Sequence, residues 1–256
     1  MADPSTTHSI PSSLANYELD KSHPLTPTHA LVVHLPTPLN THSPSKIEDL
    51  TPRLHSLFSP TLGITDGALL SAHKVSNLSP PPPVKYKIAK RNHIGTHLAL
   101  LDVQGHEIGE WKLPILRHDG GKGQLLFPSG VPGVDEGVKE SLKLKYVEST
   151  ANSGEVTMGS HHGQGKRKLE AFVKNGVVYL WEVDADRHGE GPHKRSLFKV
   201  IQDEENARST KREVASYAQR STREREGLLV LDGKEVDEIV AVFTLVAMLE
   251  ASEHFL

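Results

Sequence analysis

Between residues 239 and 249 every side chain except Thr244 is apolar. A helix over this run has no polar face, and a helix that is hydrophobic all round must be enclosed on every side. Eleven residues rise only about 16 Å, roughly half of a bilayer's hydrocarbon thickness, and acidic residues stand at both ends. That length argues against a membrane span, so the rest of the chain has to supply the enclosure. The preceding Asp232-Gly233-Lys234-Glu235 reads as a capping box, with Asp232 accepting from the amide three residues on and Glu235 reaching back. Asp237 and Glu238 then add negative charge at the positive end of the helix dipole. A central helix over residues 234–251 is predicted.

Upstream of the helix the pattern is one of short strands, predicted at 84–90, 96–103, 107–113, 142–147, 155–158, 168–173, 177–183, 196–201, 213–217 and 228–231. Many short strands and few helices indicate a sandwich or a barrel. Asp102-Val103-Gln104-Gly105 and Lys174-Asn175-Gly176 sit between strand-like runs, and Asn-Gly is a strong two-residue hairpin signal. The glycine-rich stretch 117–137 is broken by prolines and reads as a long surface loop. The fold expected is mainly β: an antiparallel closed β-barrel of about ten to twelve strands around the buried apolar C-terminal helix. A lipocalin-type barrel must keep its lumen open and leaves that helix nowhere to go.

Residues 1–65 are rich in proline, serine, threonine and histidine, with one strand-like island, Ala30-Leu31-Val32-Val33-His34-Leu35. Residues 1–28 are predicted disordered and 29–256 a single domain. Ser79-Pro80-Pro81-Pro82-Pro83 favours polyproline II and reads as a stiff connector rather than an SH3 ligand, since no flanking basic pattern accompanies it.

Composition narrows the function classes. With no cysteine there is no disulfide, thiolate metal site or cysteine nucleophile, which fits a reducing compartment. Met1-Ala2-Asp3-Pro4-Ser5 lacks the charged start and apolar run of a secretory signal, so a cytoplasmic protein, peripheral at membranes if it meets them, is expected. The formal net charge is −3 with the 16 histidines neutral, too acidic for a general nucleic-acid binder.

Three stretches carry a family resemblance. They are Tyr86-Lys87-Ile88, then Ala99-Leu100-Leu101-Asp102-Val103-Gln104-Gly105-His106-Glu107-Ile108-Gly109 with a D-x-x-G-x-x-I/V hairpin, and the acidic-then-apolar end from Val236 onwards. The chain resembles the tubby C-terminal, phospholipid scramblase and LURP-one-related group, and is similar to fungal tubby-like domains of unknown function, whose early strand-and-turn segment Pro38-Leu39-Asn40-Thr41 matches. The resemblance covers about residues 30–256. It implies a barrel threaded by its C-terminal helix and phosphoinositide binding or membrane association, since the group's best-known members behave so. Fold membership does not transfer function. The basic headgroup positions of tubby proteins have no residue-by-residue match here, and the scramblase cysteine run is missing, which puts lipid scrambling in doubt.

The candidate ligand site is cationic. Gly163-Gln164-Gly165 beside Lys166, Arg167 and Lys168 offers flexible amides and three positive charges to an anion. Lys194 and Arg195 join it on one rim if the two strands that begin there are near neighbours. A solvated hairpin turn with surface charge is the plainer reading of the glycine stretch; residues 161–225 hold 14 lysines and arginines against 10 acids, an excess of only 4, so the acids offset part of the attraction to an acidic lipid surface. It is no Walker A loop, since Ser160 stands where the first glycine belongs and Arg167 follows Lys166. His161, His162, His188 and His193 match no zinc signature, so no metal and no cofactor are expected. No glycine-flanked serine elbow is present, and Asp184 with Asp186 reads as the start of a polar loop, so no catalytic residue is assigned. Tyr179 and Trp181 share a strand face and read as core rather than as a base-stacking platform. The expectation is a non-enzymatic binding domain for anionic lipid headgroups, with a protein-interaction scaffold as the alternative.

Overall fold

The computed structural model describes residues 17–35, 45–57, 79–92, 97–112, 123–128, 141–149, 167–183, 194–203, 208–219 and 226–253. Among these are the strands β1 (Glu18–Leu19), β2 (His29–His34), β3 (Ser45–Asp49), β4 (Val84–Lys90), β5 (His97–Leu101), β6 (Glu107–Lys112) and β7 (Gly123–Leu126). They continue with β8 (Ser141–Ser149), β9 (Arg167–Lys174), β10 (Val177–Val183), β11 (Lys194–Asp203), β12 (Arg208–Gln219) and β13 (Glu226–Leu231). A 3₁₀ turn (Thr51–Arg53) runs into the one-turn helix α1 (Leu54–Leu57), and α2 (Glu238–Glu253) is the long C-terminal helix.

All thirteen strands belong to one sheet of order β1-β12-β11-β10-β9-β8-β7-β6-β5-β4-β3-β2-β13, with a further pairing between β12 and β13. Every pairing is antiparallel except that of β1 with β12. Strand β13 is paired on both sides, from Glu226 to Leu231 with β2 and from Gly227 to Leu231 with β12. Of the expected architecture, a mainly antiparallel sheet with one long C-terminal helix is what stands.

Pleating sorts the side chains into two sets. In β10, Tyr179 and Trp181 turn toward α2 while Val178 and Leu180 turn away, and all four are buried. The helix-facing set combines Leu31, Ile47, Tyr86, Leu100, Trp111, Leu125, Phe172, Leu197, Tyr217 and Leu229 with residues 240–249 of α2, every one of which is at most 5% exposed. On the opposite face Leu25, Leu50 and Leu54 cover Ala30, Val32, Ala218, Leu228 and Val230. A second outer cluster joins Ala171, Val178, Leu180, Phe198 and Val200, with Tyr17 against it.

The Asn-Gly hairpin between β9 and β10 forms as its residues require. Asn175 and Gly176 both take positive φ, 50° and 76°, the conformation that matches strand twist in a two-residue turn. Glycines also admit aromatic rings on the helix-facing side: a Cβ at Gly109 would lie 2.9 Å from the Phe243 ring, and one at Gly227 2.5 Å from the Tyr217 hydroxyl and ring.

Several expectations are corrected. Residues 17–28, expected to be disordered, carry β1, bury Leu25 and bond through Thr28 N to Leu231 O, because outer-face apolar residues of β12, β13 and β2 need a cover. The helix begins at Glu238, not 234, and the capping box does not form. Asp232 accepts instead from the Lys234 amide two residues on, and the Glu235 carboxylate is drawn away by Lys199 and Arg212. Inside the stretch expected to be loop lies β7, whose Gly123 faces the Trp111 indole at a spacing a Cβ would bring to 2.7 Å. The polar strand β3, with Ile47 as its one apolar residue, was not foreseen, and the strand expected at 155–158 lies outside the described residues.

Candidate functional site

The cationic rim can be placed strand by strand. Lys166 lies outside the described residues; Arg167 and Lys168 begin β9, and Lys194 and Arg195 begin β11. Strand β10 separates the two, pairing with β9 on one side and β11 on the other, so both pairs of cations begin their strands at the same end of the sheet. Two strand spacings put them about 10 Å apart across β10.

The pleat divides the second pair. Arg195 lies opposite Tyr217 of the helix-facing core, while Lys194 lies opposite Ala218 of the outer cluster. Directly opposed residues share a face, so neighbouring Lys194 and Arg195 occupy opposite faces. Lys194 Nζ stands 4.0 Å from Glu213 Oε1, and the Ser196 hydroxyl donates to the same oxygen at 2.6 Å. In the register of β8 with β9, Lys168 stands opposite Glu148. The rim therefore carries acids among its cations.

The more densely built polar cluster is at the other end, where α2 begins, and sequence reading missed it. The Tyr86 hydroxyl donates to Glu238 Oε1 at 2.7 Å and Lys85 Nζ to Glu238 Oε2 at 2.9 Å, with Lys85 also 3.6 Å from Asp49. His29 Nε2 is 3.7 Å from the same glutamate. Lys174 pairs with Asp237, Lys199 donates to Glu235 at 2.9 Å, and the Tyr179 hydroxyl donates to the Glu235 carbonyl at 3.1 Å. The acids come from one turn of chain, 235–238, and their partners from strands β2, β4, β9, β10, β11 and β12. The only advance signal was the acidic run itself, read as dipole complement.

These groups are set against proton chemistry at neutral pH. Burial, then the Glu238 carboxylate, pushes the Tyr86 hydroxyl far above its ordinary range, and burial with Glu235 pushes Tyr179 up to about 12. Lys199 first, then Arg212, holds Glu235 below the usual carboxylate range against the effect of burial. Glu235 is thus held ionised and both phenols protonated, and the bonds to residues 235–238 fix the start of α2.

Among the described residues no group of three histidine, cysteine or acidic side chains could hold a metal ion, and no helix is long and apolar enough to cross a membrane. No family model, curated protein or solved structure matches the chain.

Proposed function

We propose that this chain is a non-enzymatic binding domain of tubby-like architecture, whose sheet closes on itself around α2 and which recognises anionic lipid headgroups, such as those of phosphoinositides, at its surface. The observation that carries it is the burial of every residue from 240 to 249 against helix-facing side chains of strands from β2 to β13. The pairing of β13 on both sides supports closure. A helix packed there occupies the space in which an open barrel holds a small molecule, which leaves the exterior and the ends for recognition. The common starting end of β9 and β11 supports the headgroup reading, at about 1 kcal/mol for each well-placed cation near an acidic surface.

A protein-interaction scaffold without lipid ligand is the second reading, favoured by the pairing of Lys194 with Glu213 and by the split of Lys194 and Arg195 across the sheet. Co-sedimentation with neutral, phosphatidylserine and phosphoinositide liposomes at two salt concentrations separates them. The headgroup reading expects salt-sensitive binding to anionic vesicles only, lost on reversing Lys166, Arg167, Lys168, Lys194 and Arg195 to glutamate with the melting temperature unchanged. Absence of binding to every vesicle, or equal binding by the reversed chain, overturns it in favour of the scaffold.

A further inference from the structure

We propose that the first half of β12 is a strand-addition site for an acidic extended segment of a partner protein, and that residues 17–20 fill it as an internal occupant. The site lies at the opposite end of β12 from the residues paired with Lys194 and Arg195, so it stands independently of lipid binding.

Strand β12 is twelve residues long, and β13 pairs only with its part from Ala215 to Gln219. At Asp232 the chain leaves the sheet to start α2, its amide donating to the Val214 carbonyl. The part of β12 before Val214 therefore runs on past the end of its neighbour. A sheet edge of this kind is a template on which an extended peptide adds through its main chain.

The present occupant is short and lightly held. Strand β1 makes two residue pairs, Glu18 with Thr210 and Leu19 with Lys211, and both of its residues are exposed, Leu19 to 45%. Apart from the partly buried Tyr17, little apolar burial opposes its detachment, which marks the low end of local stability. The four residues after it, Lys21 to Pro24, are exposed as well, so the segment can leave without disturbing Leu25 or β2.

Its contacts define what the edge recognises. The Asp20 amide donates to the Lys211 carbonyl at 2.9 Å, and its Oδ2 accepts from Arg212 Nε and Nη2 at 3.3 and 3.1 Å. Tyr17 packs on the outer cluster of Ala171, Val178, Leu180, Phe198 and Val200. The guanidinium of Arg212 is also held from behind, Nη1 donating to Glu235 Oε1 at 3.3 Å while Lys199 holds that same carboxylate. Departure of Asp20 leaves the fork in place and pre-organised for another carboxylate. The fitting partner is an extended segment with an aromatic residue followed by an acid three positions on, in the pattern of Tyr17-Glu18-Leu19-Asp20.

A tethered occupant competes at an effective concentration in the millimolar range, so a free peptide binds the intact chain weakly. The test uses a fluorescein-labelled peptide with the sequence of residues 15–23, titrated by fluorescence anisotropy into the full wild-type chain and into the Asp20→Lys chain. The expected result is at least tenfold tighter binding to the Asp20→Lys chain, and no binding by a control peptide carrying the same lysine. Equal affinities for the two chains, or equal binding of the two peptides, overturns the proposal, as does absence of binding to an Asp20→Lys chain that melts cooperatively. Should that variant not fold, hydrogen exchange on the wild-type chain decides: amides of residues 18–20 exchanging at least a hundredfold faster than those of β13 are expected, and equal protection overturns the proposal.

Discussion

Replacing Thr244 by valine tests what fixes α2 in place. Thr244 is the single polar side chain in the apolar run and is fully buried. Its hydroxyl donates to the Val240 carbonyl at 2.7 Å and accepts from the Trp181 indole at 3.0 Å, so it is satisfied by its own helix and by β10 together. Valine keeps the shape and adds apolar surface, but leaves the Trp181 N–H without this acceptor in an apolar interior. An unsatisfied buried donor costs about 1–3 kcal/mol. For a chain of this size that corresponds to a fall in melting temperature of about 2–4 °C per kcal/mol. The loss belongs to the pair, so the assay is a double-mutant cycle with Trp181→Phe, read by urea denaturation. Once the indole N–H is gone, Thr244→Val should cost little, giving a coupling of about 1–2 kcal/mol. Additivity within about 0.5 kcal/mol would refute the claim that this bond sets the rotation and depth of the helix.

Three shorter predictions concern packing, charge and enclosure. Gly227→Ala drives a Cβ into the Tyr217 ring and should destabilise by about 1–3 kcal/mol in urea melts, an effect relieved by Tyr217→Leu; no loss would show that the ring yields freely. His34 lies between Glu48 Oε2 at 3.0 Å and Glu226 Oε2 at 3.4 Å: burial alone lowers its pKa, but the two carboxylates outweigh it and the net shift is upward. A raised folded-state pKa gives stability that is fully present below the unfolded value of about 6.5 and lost as pH rises through the folded value. The stability difference between wild type and His34→Gln should therefore be larger at pH 6 than at pH 8.5, and a constant difference would sink the assignment. Val242→Asp places an unpaired charge in the fully buried helix and should abolish soluble folding; a soluble variant with a cooperative melt would contradict enclosure of α2.

Strands were legible in the sequence where apolar residues recurred at strand spacing, alternating with lysines in β4 and running almost unbroken in β10. The runs expected at 84–90 and 177–183 coincide with β4 and β10, and 168–173 falls one residue short of β9 at each end. Illegible strands are those whose identity rests on a neighbour. Residues 45–49 are polar but for Ile47, and they are a strand because β2 and β4 pair with them on either side. Gly123 looked like a breaker, yet the Trp111 ring fills the space its missing side chain leaves. The N-terminal segment was misread for the same reason: its composition is that of a disordered tail, and what orders residues 17–28 is the distant sheet edge of β12 together with an outer face drawn from strands along the whole chain.

The candidate site was harder to read than the fold because it depends on which face a cation takes. Lys194 and Arg195 look like one cluster along the chain, but in a strand adjacent side chains diverge, and each joins the chemistry of a different face. Lys199 and Arg212 drew no notice in sequence, being thirteen positions apart, yet register sets them opposite each other and both reach Glu235. Arg212 carries the same logic further, since it bonds Asp20 near the first strand and Glu235 just before the last helix. Residues 17–20, the sheet edge and the start of α2 thus share one guanidinium. Whether Asp20 or a partner's acid occupies the fork, the same Arg212 also donates to Glu235, so the occupant of the β12 edge and the start of α2 are joined through one side chain.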